Sequence, residues 1–312
     1  MVTRRLSMPQ SATANAVSRR GLVLFAAMSV IWGVPYLLIK VALEDLTPSF
    51  LVFARTAIGA AILLPMAVRR GAVRPALAHW RPLAAFAALE IALPWFLVGD
   101  AERHMPSSLA GLLIATVPLI GTVVAWRLGD AAAVTGVRLV GLIVGMVGVG
   151  AVVGLDLGSG TSLLAVGEIL LVSVGYATAP IIAARRLSQV PTLGIIAVSL
   201  TAVAVVYSPA AVLARPHTMP RDSVLASVLT LAVVCTALAF LLFFALIGEI
   251  GPVRATVITF VNPAVAVTLG VVVLGERFTA GIAVGFPLVL LGSWLATRRS
   301  RSVVDDPVRA AT

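Results

Sequence analysis

Reactive side chains are scarce in this chain of 312 residues, which has one cysteine, three histidines and 13 acidic residues. The lone cysteine, Cys235, lies inside an apolar stretch, so no intramolecular disulfide can form and no redox compartment follows from it. The single lysine, Lys40, stands between Ile39 and Val41. No Walker A loop surrounds it, so ATP-driven pumping by this chain alone is not expected. His79, His104 and His217 fall in separate connecting segments, and with one cysteine they make no recognisable zinc site. Neither a Gly-x-Ser-x-Gly elbow nor a Ser/His/Asp grouping occurs within the apolar stretches. An enzyme is therefore not expected, nor any metal or cofactor. Charge is thin as well: 12% of residues are charged, 60% are hydrophobic and the mean hydropathy is +1.07. That balance is incompatible with an ordinary water-soluble surface.

What the chain does have is apolar length. Stretches of bilayer-spanning size run over about 21–42, 48–68, 82–100, 107–127, 136–155, 163–184, 192–213, 223–247, 253–274 and 280–297. Each is near the roughly 20 residues a helix needs to cross hydrocarbon. They lack the apolar/polar alternation of a porin strand, and within lipid a backbone must satisfy its own hydrogen bonds, so helices are expected. The fold class is all-α, a polytopic membrane protein of about ten transmembrane helices.

A net charge of +10 raises the question of nucleic acid, and the positions of the arginines answer it. With the N-terminus inside, the inner segments hold Arg4, Arg5, Arg19, Arg20, Arg69, Arg70, Arg74, Arg81, Arg127, Arg138, Arg185, Arg186, Arg254, Arg298, Arg299, Arg301 and Arg309. The outer ones hold only Arg103, Arg215, Arg221 and Arg277. This positive-inside bias sets both termini in the cytoplasm of a cell (inner or plasma) membrane protein. Basicity here encodes topology, with contact to anionic lipid secondary. The first stretch is too long for a signal-peptide core and contains Trp32, Gly33, Pro35 and Tyr36 with no small-residue cleavage site after it. It is read as retained.

One internal repeat is visible. Pro106-Ser-Ser-Leu-Ala-Gly-Leu-Leu-Ile-Ala-Thr-Val-Pro118 leads to Leu128-Gly129-Asp130, and Pro252-Val-Arg-Ala-Thr-Val-Ile-Thr-Phe-Val-Asn-Pro263 leads to Leu274-Gly275-Glu276. First proline and acid are 24 positions apart in both copies. A glycine-rich stretch follows each: Gly136, Gly141, Gly145 and Gly148, then Gly281, Gly285 and Gly292. Upstream, Gly33 precedes Pro106 by 73 positions and Gly175 precedes Pro252 by 77. The unit is about five helices. An odd number makes the second copy enter the membrane from the other side, so the copies are inverted, the architecture of alternating access. The expected units are 21–155 and 163–298, flanked by a basic tail, 1–20, and a second tail, 299–312.

Trp32-Gly33 with Lys40 in the first stretch, Pro48 and Arg55 in the second, the proline-bearing fourth ending in Leu-Gly-acid, and the Pro263 stretch closing in Leu274-Gly275-Glu276 carry a resemblance. Over roughly residues 21–298 the chain resembles the EamA-type transporters of the drug/metabolite transporter superfamily. The resemblance implies ten helices, inverted five-helix repeats and, frequently, export of small metabolites or amino acids. Two positions depart from the pattern. Asp130 stands where the family more often has Glu, and Val174-Gly175-Tyr176 lacks the Trp.

A charge at bilayer depth costs roughly 2.5–3.5 kcal/mol even on insertion scales, so each such residue needs a reason. Glu90 lies mid-stretch among alanines, and Pro94 four residues on leaves its carbonyl without a helix partner and favours a kink. It is either a coupling carboxyl or a hydrogen-bonded acid joining helices. Glu168, several residues inside its stretch, is either a second cavity carboxyl or an interfacial or capping group. Arg55 sits about eight residues in, roughly 12 Å deep, and holds either a substrate carboxylate or a structural partner such as a helix-end carbonyl or Glu44. Lys40 reads as an interfacial anchor. Trp32 and Tyr36 share a helix face and either wall a cavity or pack helices.

Pro118 and Pro263 free the carbonyls of Ile114 and Thr259 in both repeats, and Asn262 adds a donor and an acceptor at depth. They are paired hinges or static kinks. Asp130 and Glu276, at stretch ends, read as structural or gating. The expectation is a secondary carrier exporting a small organic solute, driven by proton exchange. Glu90 is its coupling group and Arg55, Glu168, Trp32, Tyr36, Tyr176 and Asn262 are its candidate cavity residues. Pro94, Pro118 and Pro263 are its helix breaks. Partners are a small-molecule substrate and the bilayer, with a homodimer open and nucleic acid excluded. The alternatives are an uncoupled facilitator, a non-transporting regulatory or binding protein, and a lipid-processing enzyme.

Overall fold

The computed structural model describes residues 18–130, 134, 136–156, 161–251, 255 and 257–297. Residues 1–17 of the first expected tail, all of the second, 299–312, and the start of the second proline repeat, Pro252 to Arg254, lie outside the described residues. Every long element among those described is helical. Nine are long and apolar enough to cross a membrane: α1 (Arg19–Ala42), α2 (Pro48–Arg69), α3 (Trp80–Glu102), α4 (Ser107–Arg127), α5 (Val137–Leu155), α6 (Leu163–Arg186), α7 (Thr192–Leu213), α8 (Asp222–Ile250) and α10 (Ala280–Thr297). Between them α9 (Ile258–Val272) is a shorter apolar helix. Among the described residues these ten apolar helices form one bundle.

Local chemistry sets the helix ends. Pro48 opens α2 where no amide partner is needed, and Thr47 Oγ1 accepts from Phe50 N at 3.3 Å. Both Leu-Gly-acid motifs are stops, because Gly129 (φ 102°) and Gly275 (φ 68°) adopt the left-handed region that closes a helix cheaply only for glycine. The amides of Asp130 and Glu276 then fold back onto the carbonyls of Ala125 (3.1 Å) and Gly270 (3.0 Å).

The repeats interlock helix against equivalent helix. α5 packs on α10, α2 on α7 and α4 on α9. Glycine governs the first pairing: a methyl group on Gly292 would strike the backbone of Gly145, and one on Gly141 would strike that of Ala296. Such close backbone approach is how helices associate in lipid, where apolar side chains gain nothing by leaving the solvent. Outward from this seam Leu139, Val140, Ile143, Met146 and Val147 are exposed, the surface a bilayer covers.

Contacts between connecting segments define two faces. On the face carrying Arg19, the proximal face, Ser18 Oγ donates to the Glu249 carboxylate and Arg20 lies 3.9 Å from it. On the distal face Arg221 binds Glu44 and Asp45, each at 2.8 Å, and Ser162 N donates to His104 O at 3.2 Å. α1 and α4 are broken in mid-span. α1 turns at Trp32–Val34 before resuming at Pro35, and α4 turns at Ala115 and Thr116 just before Pro118. Their counterparts differ, since α6 is continuous through Gly175 and Pro263 lies inside an uninterrupted α9.

Candidate functional site

Two π-helical turns, one in each repeat, build the centre of the bundle. In α3 the turn spans Ala88–Ala92, immediately before Pro94. Proline supplies no N–H for the Glu90 carbonyl, and a wider turn absorbs the misfit that would otherwise appear as a sharp kink. Tyr207 Oη, from α7, donates to Ala92 O at 2.9 Å and covers the loosened backbone. In α8 the turn spans Val233–Leu238 without any proline, and Thr236 Oγ1 donates to Leu231 O at 2.9 Å, five residues back. The turns present Glu90 and Thr236. These positions are 146 residues apart, the offset that separates Pro106 from Pro252.

Arg55 bonds to the second turn and stacks on a ring just beyond the first. It is 7% exposed, its Nε donates to Thr236 Oγ1 at 2.9 Å, and its guanidinium lies 3.6 Å from the centroid of the Trp95 ring. Stacking on an indole face is a geometry a planar guanidinium takes and an ammonium does not reproduce. Tyr176 stands within electrostatic range of both Glu90 and Arg55, and Tyr36 within range of Tyr176 and Arg55. One Glu90 oxygen, Oε2, is buried with no hydrogen-bond partner. Close packing fixes the ring positions: a methyl on Gly175 would strike Leu89 O and come within 3.3 Å of Pro94, and one on Gly111 would meet the Tyr36 ring at 3.2 Å. A buried cation, an acid with an open acceptor and aromatic walls are thus drawn from α1, α2, α3, α6 and α8. Such a set can hold a small polar solute by charge and by ring contact.

The model of the EamA-like transporter family matches residues 19–154 and again 163–298. The chain belongs to that family. Among curated proteins it is 25% identical over 289 residues to the transporter YvbV of Bacillus subtilis, covering 91% of this chain and 93% of the relative. It is 28% identical over 281 residues to the inner membrane transporter YedA of Escherichia coli K12, covering 86% and 90%. A solved crystal structure, 20% identical, superposes with a TM-score of 0.60 over 89% of this chain and 96% of that one, a likeness of fold.

Within this EamA-like chain the other residues singled out by sequence take separate places. Glu168 turns to Asp100 and His104 on the distal side, away from Glu90. Trp32 ends the first half of α1 and packs on Phe243 (centroids 4.7 Å) and Phe240 (6.1 Å). Asn262 brackets the α1 break: with its side-chain amide oriented to suit the surrounding carbonyls, the amide nitrogen donates to Ser29 O at 3.0 Å and Ile258 O at 2.9 Å, and Gly33 packs against its backbone carbonyl. Glu44, one of the partners considered for Arg55, binds Arg221. Lys40 is a helix cap, donating to the carbonyls of Glu102 and Met105 (2.9 Å) at the end of α3. Glu276 is a cap of the opposite kind, its oxygens accepting from Ser107 N at 2.7 Å and Ser108 N at 2.9 Å across the repeat boundary. Asp130 lies 3.9 Å from Arg138.

Sequence reading missed Trp95, Thr236 and Glu102. Adding the repeat offset to Glu90 leads to Thr236, and Trp95 follows Pro94 directly, so both were within reach. An apolar groove of about 370 Å³ between α2 and α7, lined by Phe53, Ala57, Leu64, Pro65 and Ser208, holds no charged group.

Proposed function

We propose that the chain is a secondary carrier that moves a small metabolite or amino acid out of the cell by alternating access, with Glu90 exchanging the coupling proton. The observation that carries this reading is a buried Arg55 bonded to Thr236 of one π-turn and stacked on Trp95 beside the other, with Tyr176 between it and Glu90, the two turns coming from opposite repeats. Motion of one repeat against the other then changes the face to which the centre opens. Arg55 supplies fixed positive charge for an anionic group of the solute, and Trp95, Tyr36 and Tyr176 supply ring faces. Glu90, with an unpartnered oxygen, exchanges a proton or accepts a solute cation. Family membership and the relatives named as transporters support transport rather than catalysis. The arginine bias supports a cytoplasmic proximal face.

The test is efflux of a pooled metabolite and amino-acid mixture from proteoliposomes, with and without an imposed pH gradient, read by mass spectrometry. Solutes moved against their gradient when protons flow support the reading and name the cargo. Glu90→Gln keeps the fold and loses pH-driven flux. Undiminished coupled flux in that variant removes Glu90 from the coupling role, flux indifferent to the gradient identifies a facilitator, and no flux identifies a protein without turnover.

A further inference from the structure

A second acid lies at the distal end of α3. Glu102 is 0% exposed and both carboxyl oxygens are without a hydrogen-bond partner. An ion in that state is uncompensated: burying an unpaired charge costs several kcal/mol, so some counter-charge must accompany it. The groups around it do not supply one by contact. Lys40, on α1, directs its ammonium to the backbone carbonyls of Glu102 and Met105, and Glu276 directs its carboxylate to the amides of Ser107 and Ser108. Lys40, Glu276 and Tyr36 are within electrostatic range of the Glu102 carboxyl. On the other packed elements, Glu168 of α6 faces Asp100 and His104, Tyr176 of α6 faces Glu90, and Arg55 of α2 stacks on Trp95.

Near the proximal end of α8, one position beyond the repeat offset from Glu102, stands Glu249, and there the carboxylate accepts from Ser18 and has Arg20 nearby. The distal acid alone is sealed and unpartnered. It is sealed by the junction at which α1 caps α3 and the α9–α10 turn clamps the start of α4. Separation of this junction is what would open the distal face and bring water to Glu102.

We propose that Glu102 is a proton-binding site of a distal gate, distinct from Glu90: a proton occupies its carboxyl while the gate is sealed and leaves to the distal solution when the gate parts. The sign is fixed by the geometry. A proton neutralises the sealed acid, so low pH favours closure and rising pH favours opening. With one proton exchanged, the opening equilibrium rises about tenfold per pH unit across the titration.

The experiment uses the full chain in nanodiscs and reads no flux, so it stands whether or not Glu90 couples transport. Amide exchange of the segment 103–110, corrected for intrinsic rate, is followed against pH together with the infrared carboxyl band of protonated acids. Expected are exchange that quickens by about tenfold per pH unit, and a protonated-carboxyl component that disappears in Glu102→Gln but persists in Glu90→Gln. Glu102→Gln holds the segment protected at every pH. Should that variant fail to fold, Glu102→Asp keeps the carboxyl and shows the band component displaced. Wild-type exchange without pH dependence, exchange that quickens as pH falls, or a band indifferent to both Glu102 variants overturns the proposal.

Discussion

Replacing Glu276 by alanine severs a joint between the repeats whose geometry permits an estimate. The two carboxylate oxygens accept from Ser107 N at 2.7 Å and Ser108 N at 2.9 Å, and both serines are 0% exposed, so water does not replace the lost acceptor without rearrangement. A hydrogen bond to a charged group contributes about 1.5–3 kcal/mol, and the field of a helix N-terminus adds roughly 0.3–1 kcal/mol. The two bonds share one carboxylate and are not fully additive, so Glu276→Ala is expected to cost about 3–4 kcal/mol locally. That raises opening of the α4 start by about two to three decades, at 1.4 kcal/mol per decade.

Glutamine separates charge from geometry, because a carboxamide keeps one acceptor and turns its NH2 toward the second amide. Glu276→Gln should therefore lose about half the effect or slightly more. Aspartate is one methylene short and should behave closer to alanine. Amide exchange of residues 107–110 in nanodiscs measures this directly, with a peptide from α10 as internal control. Unchanged exchange in Glu276→Ala, or identical behaviour of Gln and Glu, refutes the clamp.

Other consequences are as definite. On α6, Gly175→Ala drives a methyl into Leu89 O and should cost about 1–3 kcal/mol as overpacking, whereas Gly167, with nothing within 4 Å, should tolerate alanine and gain up to about 1 kcal/mol from helix propensity. Thermal unfolding of the pair checks it, and equal melting temperatures would be the wrong result. Thr236→Val removes the acceptor of Arg55 Nε and should destabilise by about 1.5–3 kcal/mol; Thr236→Ser should restore wild-type melting if the hydroxyl is what matters. Asp45 accepts from Arg221 N, Nε and Nη2, and these bonds hold its carboxyl below the ordinary aspartate range. The contact between the 43–47 and 214–221 connections is therefore complete above about pH 3.9 and lost as pH falls through the lowered value. Exchange of the Arg221 amide should show that acid limb, and Asp45→Asn should abolish it.

Sequence alone determined the architecture, because bilayer physics leaves few options. Apolar runs of spanning length must be helices, a near one-sided arginine distribution implies a topology, and a motif recurring 146 positions apart across an odd number of spans makes an inverted pair. It also singled out Glu90 and Arg55, since a charge at depth stands out in any apolar run. The distribution of partners was decided only by tertiary packing. Nothing local to Lys40 marks it as a cap for α3, nothing local to Glu276 shows that it reaches across to α4, and Glu44 and Arg221 are 177 positions apart. The π-turn of α8 contains no proline and is invisible to sequence punctuation, and the continuity of α6 and α9 where α1 and α4 break is a property of how the repeats bear on one another. Glu102 sits at a helix end, where sequence reading treats charge as nearly free. The cap on α3 and the clamp on α4 place it out of reach of water, and burial is a property of neighbours rather than of position in the chain.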